Sequence, residues 1–260
     1  MRGIVLAGGA GSRLFPITIG VSKQLLPVYN KPLIFYPLST LMLAGIREIA
    51  VVCKLEDRDS FRKVLGDGSQ WGLELSYFIQ DFPGGIAQGI LICEKFIAGH
   101  STCLILGDNI FYGAGLGQTL ERFQDVSGAQ IFGYPVSNPE DYGVVELDRF
   151  NQAIKLTEKP KKFVSNFAVA GMYYYDQKVL DFAKKLEPSS RGELEITDLN
   201  SLYLESGKLS VEVLHRGTAW FDCGSFSSLL EASNFVKVLE DRQGLSIGDL
   251  TEIAQNKGWV

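Results

Sequence analysis

The sequence predicts an α/β protein with a Rossmann-like, mostly parallel central sheet and helices on both faces. Two observations in the first half support this fold class: short apolar segments typical of buried strands, and segments of helical pattern between them. The predicted strands are residues 3–6, 49–52, 73–79 and 103–106, and the predicted helices are residues 34–44, 57–65 and about 89–96. Strands and helices that alternate in this way form parallel sheets.

The second half has a different pattern, which is the third observation. Strand-like segments follow one another with only short helices between them, so this half is expected to be mixed and partly antiparallel. The segments are residues 131–136, 143–147, 153–157, 167–175, 209–214 and 220–222. A helix opens within residues 192–198 and ends before Gly207, and Ser225 is suited to cap a helix that reaches about Asp241.

No repeat or low-complexity linker divides the chain, so a single domain over residues 1–260 is predicted. Residues from 1 to about 110 would form a nucleotide-binding half, and about 111–241 a second half or lobe. Residues 242–260 would form a C-terminal segment. A chain of 260 residues with 46% hydrophobic residues can bury a sizeable core.

Composition excludes several classes of function. The net charge of −5 argues against nucleic-acid binding, which needs a basic face. The four cysteines lack the paired spacing of a zinc site or a disulfide framework. The longest apolar stretch, residues 33–46, is too short and too polar to span a bilayer. A cytoplasmic protein with no membrane partner is therefore expected.

A glycine-rich segment follows the first predicted strand and is the main candidate for a binding site. It includes Leu6, Gly8, Gly9, Gly11, Ser12 and Arg13. Glycines allow backbone N–H groups to line an anion, and a guanidinium fork suits phosphoryl oxygens. Lys23 adds a second cation. The pattern therefore favours a nucleoside triphosphate, although the glycines alone fit a tight packing turn equally well.

Two better-known phosphate loops do not match this segment. The P-loop pattern with its Gly-Lys-Ser/Thr ending is absent, and Leu14 stands where the dinucleotide-binding pattern requires a third glycine. Gln80 and Asp108 also follow predicted strands. Because ligands of parallel sheets bind at the carboxyl ends of the strands, the glycine-rich segment, Gln80 and Asp108 are expected to serve one site.

Several long segments resemble the sugar-1-phosphate nucleotidylyltransferase family, and most closely its dTTP-using members. They cover nearly the whole chain and include residues 6–14, 22–27, 31–39, 65–73 and 107–113. The resemblance implies attack by the phosphate oxygen of glucose-1-phosphate on the α-phosphorus of dTTP, with Mg²⁺ as cofactor. The products would be dTDP-glucose and pyrophosphate. Because the attacking oxygen is already anionic, no general base is required, and His100 and His215 receive no role.

The resemblance also implies roles for individual residues. Arg13, Lys23 and Lys159 would be catalytic, and Asp108 and Asp222 would hold the metal. The nucleotide would contact Leu6, Gly8, Gly9, Gly11, Ser12, Arg13, Lys23, Gln24, Gln80 and Gly85. The sugar phosphate would contact Asp108, Asn109, Tyr142, Gly143, Glu158, Lys159 and Val169. Without the resemblance, Glu158-Lys159-Pro160 would be interpreted as a charged turn, and each aspartate as a turn or cap residue.

Two alternatives remain open at this stage. The chain could use UTP or CTP in place of dTTP, because a side-chain amide such as that of Gln80 can reorient to suit uracil or thymine. It could also be a non-catalytic subunit that binds a sugar nucleotide, although such a subunit would be expected to lose phosphate-handling residues. A homo-oligomer, tetrameric or dimeric, is expected from the resemblance.

Overall fold

The computed structural model describes all 260 residues and has a mixed α/β fold. The strands are β1 Arg2–Leu6, β2 Pro27–Val28, β3 Lys31–Pro32, β4 Glu48–Cys53, β5 Glu74–Ile79, β6 Thr102–Leu106, β7 Asn109–Tyr112, β8 Ala129–Pro135, β9 Gly143–Leu147, β10 Ala153–Glu158, β11 Phe167–Tyr175, β12 Leu209–Val213 and β13 Ala219–Asp222. The α-helices are α1 Phe35–Leu43, α2 Arg58–Leu65, α3 Gln88–Ile92, α4 Glu94–Ile97, α5 Leu116–Glu121, α6 Val179–Ala183, α7 Ile196–Glu205, α8 Phe226–Gln243 and α9 Leu250–Asn256.

The chain divides into two compact units. The terminal unit consists of Arg2–Pro83, Ile105–Arg122 and Thr218–Val260. The inserted unit consists of Gly84–Leu104 and Phe123–Gly217, together with Met1. The predicted nucleotide-binding and sugar-binding halves stay predictions, as do the homo-oligomer and the cytoplasmic location.

A parallel sheet forms the first part of the terminal unit. Strand β4 lies between β1 and β5 and is parallel to both, with Leu6 opposite Val52 and Cys53 opposite Ile79. The segments between these strands carry α1 and α2, as in right-handed β-α-β crossovers. The predicted parallel, helix-flanked arrangement of the first half is therefore confirmed.

The second part of the terminal unit is a two-stranded antiparallel ribbon of β7 and β13, in which Asn109 lies opposite Asp222. Its apolar residues join a buried cluster with α8 and the α1 region. The cluster consists of Val28, Leu33, Tyr36, Ile110, Cys223, Ala232, Val236 and Ile247. Each large apolar side chain buried in this way contributes about 1.5–3 kcal/mol. This packing fixes the ribbon that carries Asp222.

The inserted unit has the mixed sheet that the sequence predicts. Strands β10, β9 and β11 are antiparallel neighbours, β8 is antiparallel to β11, and β12 is parallel to β8. Helix α7 packs against β10 and β12. Phe123, Phe132 and Tyr174 form an aromatic cluster with ring centroids 5.6–6.0 Å apart. This packing involves β8 and β11, and β11 is the neighbour of β9, the strand that begins at Gly143.

The structure differs from the sequence prediction in several local elements. The helix predicted to about residue 96 is two short helices, α3 and α4, because the chain leaves helical geometry at Cys93. Residues 109–112 form strand β7, which is half of a ribbon. Helix α9 lies in the C-terminal segment, where no element was predicted. None of the helices combines the length and apolar character needed to cross a lipid bilayer.

The start of α8 provides a test of local stability. Ser225 and Ser228 form a reciprocal capping box, with N–H to Oγ distances of 3.2 and 3.0 Å. We expect Ser225→Ala to lower the free energy of unfolding by about 1 kcal/mol, because an orphan helix N–H loses its acceptor. Urea titration followed by circular dichroism measures this loss. Ser227→Ala, at an exposed position of the same turn, is the control and should change stability by less than about 0.5 kcal/mol.

Candidate active site

In the terminal unit, the glycine-rich segment begins directly after β1 and is held by backbone hydrogen bonds. The Ala7 N–H donates to the Val52 carbonyl at 2.7 Å, which continues the ladder of the parallel sheet. Gly11 adopts a left-handed conformation, φ 62° and ψ 20°, and leads into the short 3₁₀ helix Ser12–Leu14. The Leu14 N–H donates to the Gly11 carbonyl at 2.9 Å. Only glycine adopts this φ without strain, so Gly11 shapes the turn that presents Ser12 and Arg13.

Gln80 packs directly against the glycine-rich segment. A Cβ atom at Gly8 would overlap Gln80 Oε1, so only glycine allows this approach. Gln80 is buried, and its N–H donates to the Cys53 carbonyl at 2.9 Å where β5 ends. The ends of β1 and β5 thus bring Gly8 and Gln80 together, as the sequence predicts.

Gln24 and Lys23 lie on the short 3₁₀ helix Lys23–Leu25 and are both buried. Gln24 Oε1 accepts a hydrogen bond from Ser22 Oγ at 2.9 Å. A Cβ at Gly107 would lie 3.1 Å from Gln24 Cγ, so the turn after β6 passes closely over this side chain. The side chain of Gln24 therefore packs against Gly107, the residue that precedes Asp108.

Lys23 and Asp108 form an ion pair in which Lys23 Nζ donates to Asp108 Oδ2. The side chain of Lys23 is only 8% exposed and that of Asp108 18% exposed. Burial of one charge without the other would be costly, so the pair also holds the Lys23 segment against the turn after β6. The other carboxylate oxygen, Oδ1, accepts from Asn109 Nδ2 at 2.8 Å.

Asp222 and Arg13 both border the space that a Gly224 side chain would fill. A Cβ at Gly224 would lie 2.5 Å from Arg13 Nη2 and 3.1 Å from Asp222 Oδ1. Gly224 therefore leaves room for the guanidinium beside the end of β13. The Cys223 N–H donates to the Asp108 carbonyl at 3.0 Å, which ties this end of the ribbon to Asp108.

The Cys223 thiol reports the electrostatics of this region. Its pKa is raised well above the ordinary value, first by burial and then by the charges of Asp108 and Asp222. Both carboxylates therefore act on one buried thiol. Arg13, Lys23, Asp108 and Asp222 are named here the phosphate cluster. Lys23 pairs with Asp108, Arg13 and Asp222 both approach Gly224, and the Cys223–Asp108 hydrogen bond joins the two pairs within the terminal unit.

The inserted unit holds the second group of predicted residues, centred on Glu158 at the end of β10. Thr197 Oγ1 donates to Glu158 Oε2 at 2.6 Å, and Arg191 Nη2 donates to Glu158 Oε1 at 3.4 Å. Gly143 lies opposite Glu158 in the β9–β10 ladder. A Cβ there would lie 2.9 Å from Thr197 Oγ1 and 3.0 Å from Glu158 Oε2, so glycine leaves the space beside the carboxylate clear.

Negative charge accumulates around Glu158. Arg191 also bonds to Glu195, at 2.7 and 3.1 Å, and this contact is the main cause of the raised pKa of the guanidinium. The pKa of the Asp198 carboxyl is raised by burial and further by the charges of Glu195 and Glu158. These carboxylates are acceptors suited to hydroxyl groups.

Lys159 has a backbone conformation that is unusual for its residue type. Its φ is +42°, in the left-handed region, and its N–H donates to the Tyr142 carbonyl at 3.0 Å. Such a conformation costs on the order of 1 kcal/mol or more in a residue other than glycine, and such strain is concentrated at functional sites. Lys159 is exposed, whereas Val169 lies within β11 opposite Gly133. The backbone hydrogen bond from Lys159 therefore places Tyr142 beside the Glu158–Lys159 segment.

Gly85 lies at the start of the inserted unit and also has a positive φ, 98°. A Cβ there would overlap the Leu194 carbonyl oxygen, because the chain pairs closely with the segment before α7. The Leu194 N–H donates to the Gly84 carbonyl at 2.8 Å and the Ala87 N–H to the Leu194 carbonyl at 3.2 Å. The backbone hydrogen bonds of Gly84 and Ala87 thus hold Gly85 against Leu194.

Arg191 and Thr197, the two partners of the Glu158 carboxylate, are not predicted from the sequence. The sequence signal for these two residues is the polar run around Arg191 just before α7, which by itself indicates only the start of a helix. Side-chain pairing between β10 and α7 depends on the packing of the two elements, and local sequence does not encode it.

Comparisons with known proteins identify the family of the chain. A family model described as nucleotidyl transferase matches residues 2–238. A relative from Mycolicibacterium smegmatis named glucose-1-phosphate thymidylyltransferase is 57% identical over 260 residues, which are 100% of this chain and 90% of the relative.

Solved structures are similar as well. A protein from Bacillus anthracis, described as a glucose-1-phosphate thymidylyltransferase in complex with sucrose, is 39% identical with a TM-score of 0.83, and the match covers 90% of this chain and 94% of that one. A UDP-glucose pyrophosphorylase complexed with UDP-glucose has a TM-score of 0.78 at 24% identity, over 92% of this chain and 98% of that one, and supports the fold alone. The chain belongs to the nucleotidyl transferase family, with full-length relatives named glucose-1-phosphate thymidylyltransferase.

Proposed function

We propose that this chain transfers a thymidylyl group from dTTP to glucose-1-phosphate, giving dTDP-glucose and pyrophosphate. The observation that carries the proposal is the phosphate cluster, in which two cations and two carboxylates meet beside a glycine-rich turn. The names and identities of the full-length relatives support the choice of substrates. A non-catalytic subunit is disfavoured, because all of the predicted phosphate-handling side chains are present.

The reaction forms a bond between an oxygen of the sugar phosphate and the α-phosphorus, and breaks the bond from the α-phosphorus to the leaving pyrophosphate. The main obstacle is repulsion between two polyanions. Arg13 and Lys23 supply positive charge where the triphosphate would lie, and the backbone of residues 8–12 offers N–H donors. Positioning and charge neutralisation of this kind account for most of the catalysis of phosphoryl transfer.

The carboxylate oxygens of Asp108 and Asp222 are ligands suited to a magnesium ion. Cys223, which follows Asp222, donates its N–H to the Asp108 carbonyl at 3.0 Å, and Asp222 lies opposite Asn109, the neighbour of Asp108. No three His, Cys, Asp or Glu side chains form a protein-only metal cage. Mg²⁺ prefers a few carboxylates together with substrate phosphates, so two aspartates fit it. When bound, the ion would neutralise phosphate charge, and Lys23 would be released from part of its pairing with Asp108.

The inserted unit would hold the sugar phosphate. Glu158, fixed by Thr197 and Arg191, would accept hydrogen bonds from sugar hydroxyls, and Gly143 leaves the space beside it clear. Lys159 would place its ammonium on the phosphate of the sugar. Gln80 and the backbone of Gly85 would contact the base, and Gln24 would lie near the deoxyribose.

A substrate panel tests the proposed function. We expect dTTP with glucose-1-phosphate to give the highest kcat/KM, with UTP as the second nucleotide, because the side-chain amide of Gln80 accepts either pyrimidine edge. Release of pyrophosphate from each pairing of four nucleotides with several sugar-1-phosphates measures this. Removal of divalent metal by EDTA should abolish turnover, and Mg²⁺ should restore it. A higher kcat/KM with ATP or GTP would contradict the assignment.

Gly224 allows a test of Arg13 that leaves Arg13 in place. We expect Gly224→Ala to lower kcat by up to about a hundredfold, because the new methyl group displaces the guanidinium that lies 2.5 Å from the Cβ position. The thermal midpoint should hardly change, since the φ of Gly224 lies outside the left-handed region and the end of a flexible side chain can move aside. Gly217→Ala, where nothing lies within 4 Å, is the matched control. Unchanged kcat in Gly224→Ala would remove Arg13 from the proposed mechanism.

Lys159 should act on one substrate only. We expect Lys159→Ala to raise the KM for glucose-1-phosphate by about ten- to a hundredfold, the effect of losing one charged hydrogen bond. The KM for dTTP should stay within about twofold. Steady-state kinetics with each substrate varied in turn provides the measurement, and Lys161→Ala, at a neighbouring exposed lysine, is the control. Equal increases in both KM values would show that Lys159 does not hold the sugar phosphate.

A further inference from the structure

A chain of three hydrogen bonds links the indole of Trp220 to the Lys23–Asp108 pair. Trp220 Nε1 donates to Asn109 Oδ1 at 2.7 Å, and Asn109 Nδ2 donates to Asp108 Oδ1 at 2.8 Å. Lys23 Nζ then donates to the remaining oxygen, Asp108 Oδ2. Asn109 is 1% exposed, so its amide has few alternative partners in solvent.

The ribbon of β7 and β13 places the members of this chain on one face. Asn109 is opposite Asp222, and Trp220 is opposite Phe111. Residues opposite one another in a ladder share a face, as do alternate residues of a strand, so Asn109, Trp220 and Asp222 lie on the same side. Ile110, on the other side, joins the buried cluster under α8. The proposed metal ligand Asp222 and the indole that contacts Asn109 are thus carried by one short strand.

The chemistry of the two ends determines the orientation of the amide. An indole N–H can only donate, and an ionised carboxylate can only accept. An amide between them satisfies both only when its oxygen faces the indole and its nitrogen faces the carboxylate. In the reversed orientation the amide oxygen would face Asp108, and two donors would meet at Trp220. Trp220 therefore makes Asn109 a donor toward Asp108.

We propose that Trp220 is a positioning residue that acts through Asn109 on Asp108. By fixing the amide, the indole commits Asp108 Oδ1 to Asn109 and leaves Oδ2 as the oxygen available to a cation. That cation is Lys23 in this structure and would be a divalent metal during the reaction. The inference rests on the proposed function, because it assigns Asp108 to the metal. Partners that orient a ligand in this way typically contribute about ten- to a hundredfold to metal affinity.

The test measures metal binding directly. Mn²⁺ is titrated into the full-length protein in the presence of dTDP-glucose, and free Mn²⁺ is followed by electron paramagnetic resonance. Trp220→Phe keeps an aromatic ring but removes the donor, and its Kd for Mn²⁺ should rise by about tenfold or more. Trp71→Phe is the matched control, since that indole also donates to a side chain of the terminal unit, Thr251 Oγ1 at 3.3 Å. Its Kd should stay within about twofold of the wild-type value.

A double-mutant cycle separates action through Asn109 from simple packing. Asn109→Ala alone should weaken Mn²⁺ binding at least as much as Trp220→Phe. Adding Trp220→Phe to Asn109→Ala should then have no further effect. Circular dichroism and the thermal midpoint of each variant confirm that binding is measured on folded protein.

The outcomes are distinct. A Kd unchanged in Trp220→Phe, or a tenfold loss that persists in the Asn109→Ala background, would overturn the positioning role while leaving the proposed function intact. If the wild-type protein neither bound Mn²⁺ nor made dTDP-glucose, the proposed function would be overturned, and the inference with it.

Discussion

The ion pair between Lys23 and Asp108 is the interaction on which the terminal unit's chemistry depends. It joins the segment after the glycine-rich turn to the segment between β6 and β7, and both partners are largely buried. A carboxylate in such a place needs a cation at all times, since an unpaired buried charge costs several kcal/mol. Lys23 satisfies this need in the structure.

The two units use charge in opposite ways. In the terminal unit, cations and aspartates meet beside backbone N–H donors, an arrangement suited to phosphates and metal. In the inserted unit, Arg191 and Thr197 pair with carboxylates, and carboxylate oxygens are acceptors suited to hydroxyl groups. The two units thus differ in their chemistry, and this contrast is independent of any sequence resemblance.

The sequence predicts the parallel strands well because β1, β4 and β6 are short apolar runs and the segment of β5 has an alternating pattern. It predicts the start of α8 because Ser225 is a strong capping residue. It misses the break at Cys93, because apolar periodicity continues through it, and strand β7, because a ribbon depends on its partner β13. The two partners of Glu158 are not predicted for a similar reason. Thr197 reaches Glu158 because α7 packs on β10, and Arg191 reaches it from the segment that precedes α7. The roles of the candidate site residues stay predictions.

The discontinuity of the terminal unit has a consequence for how the protein folds. Asn30 and Glu240, which bond at 2.6 Å, are 210 positions apart, and the buried cluster combines residues from all three segments of the unit. Contacts at such separation carry a large loop-closure entropy and slow the folding of a chain. During synthesis, the terminal unit cannot complete its core until residues 218–260 have emerged, whereas the inserted unit is already translated by then. We therefore expect the inserted unit to be the first to reach native packing on the ribosome.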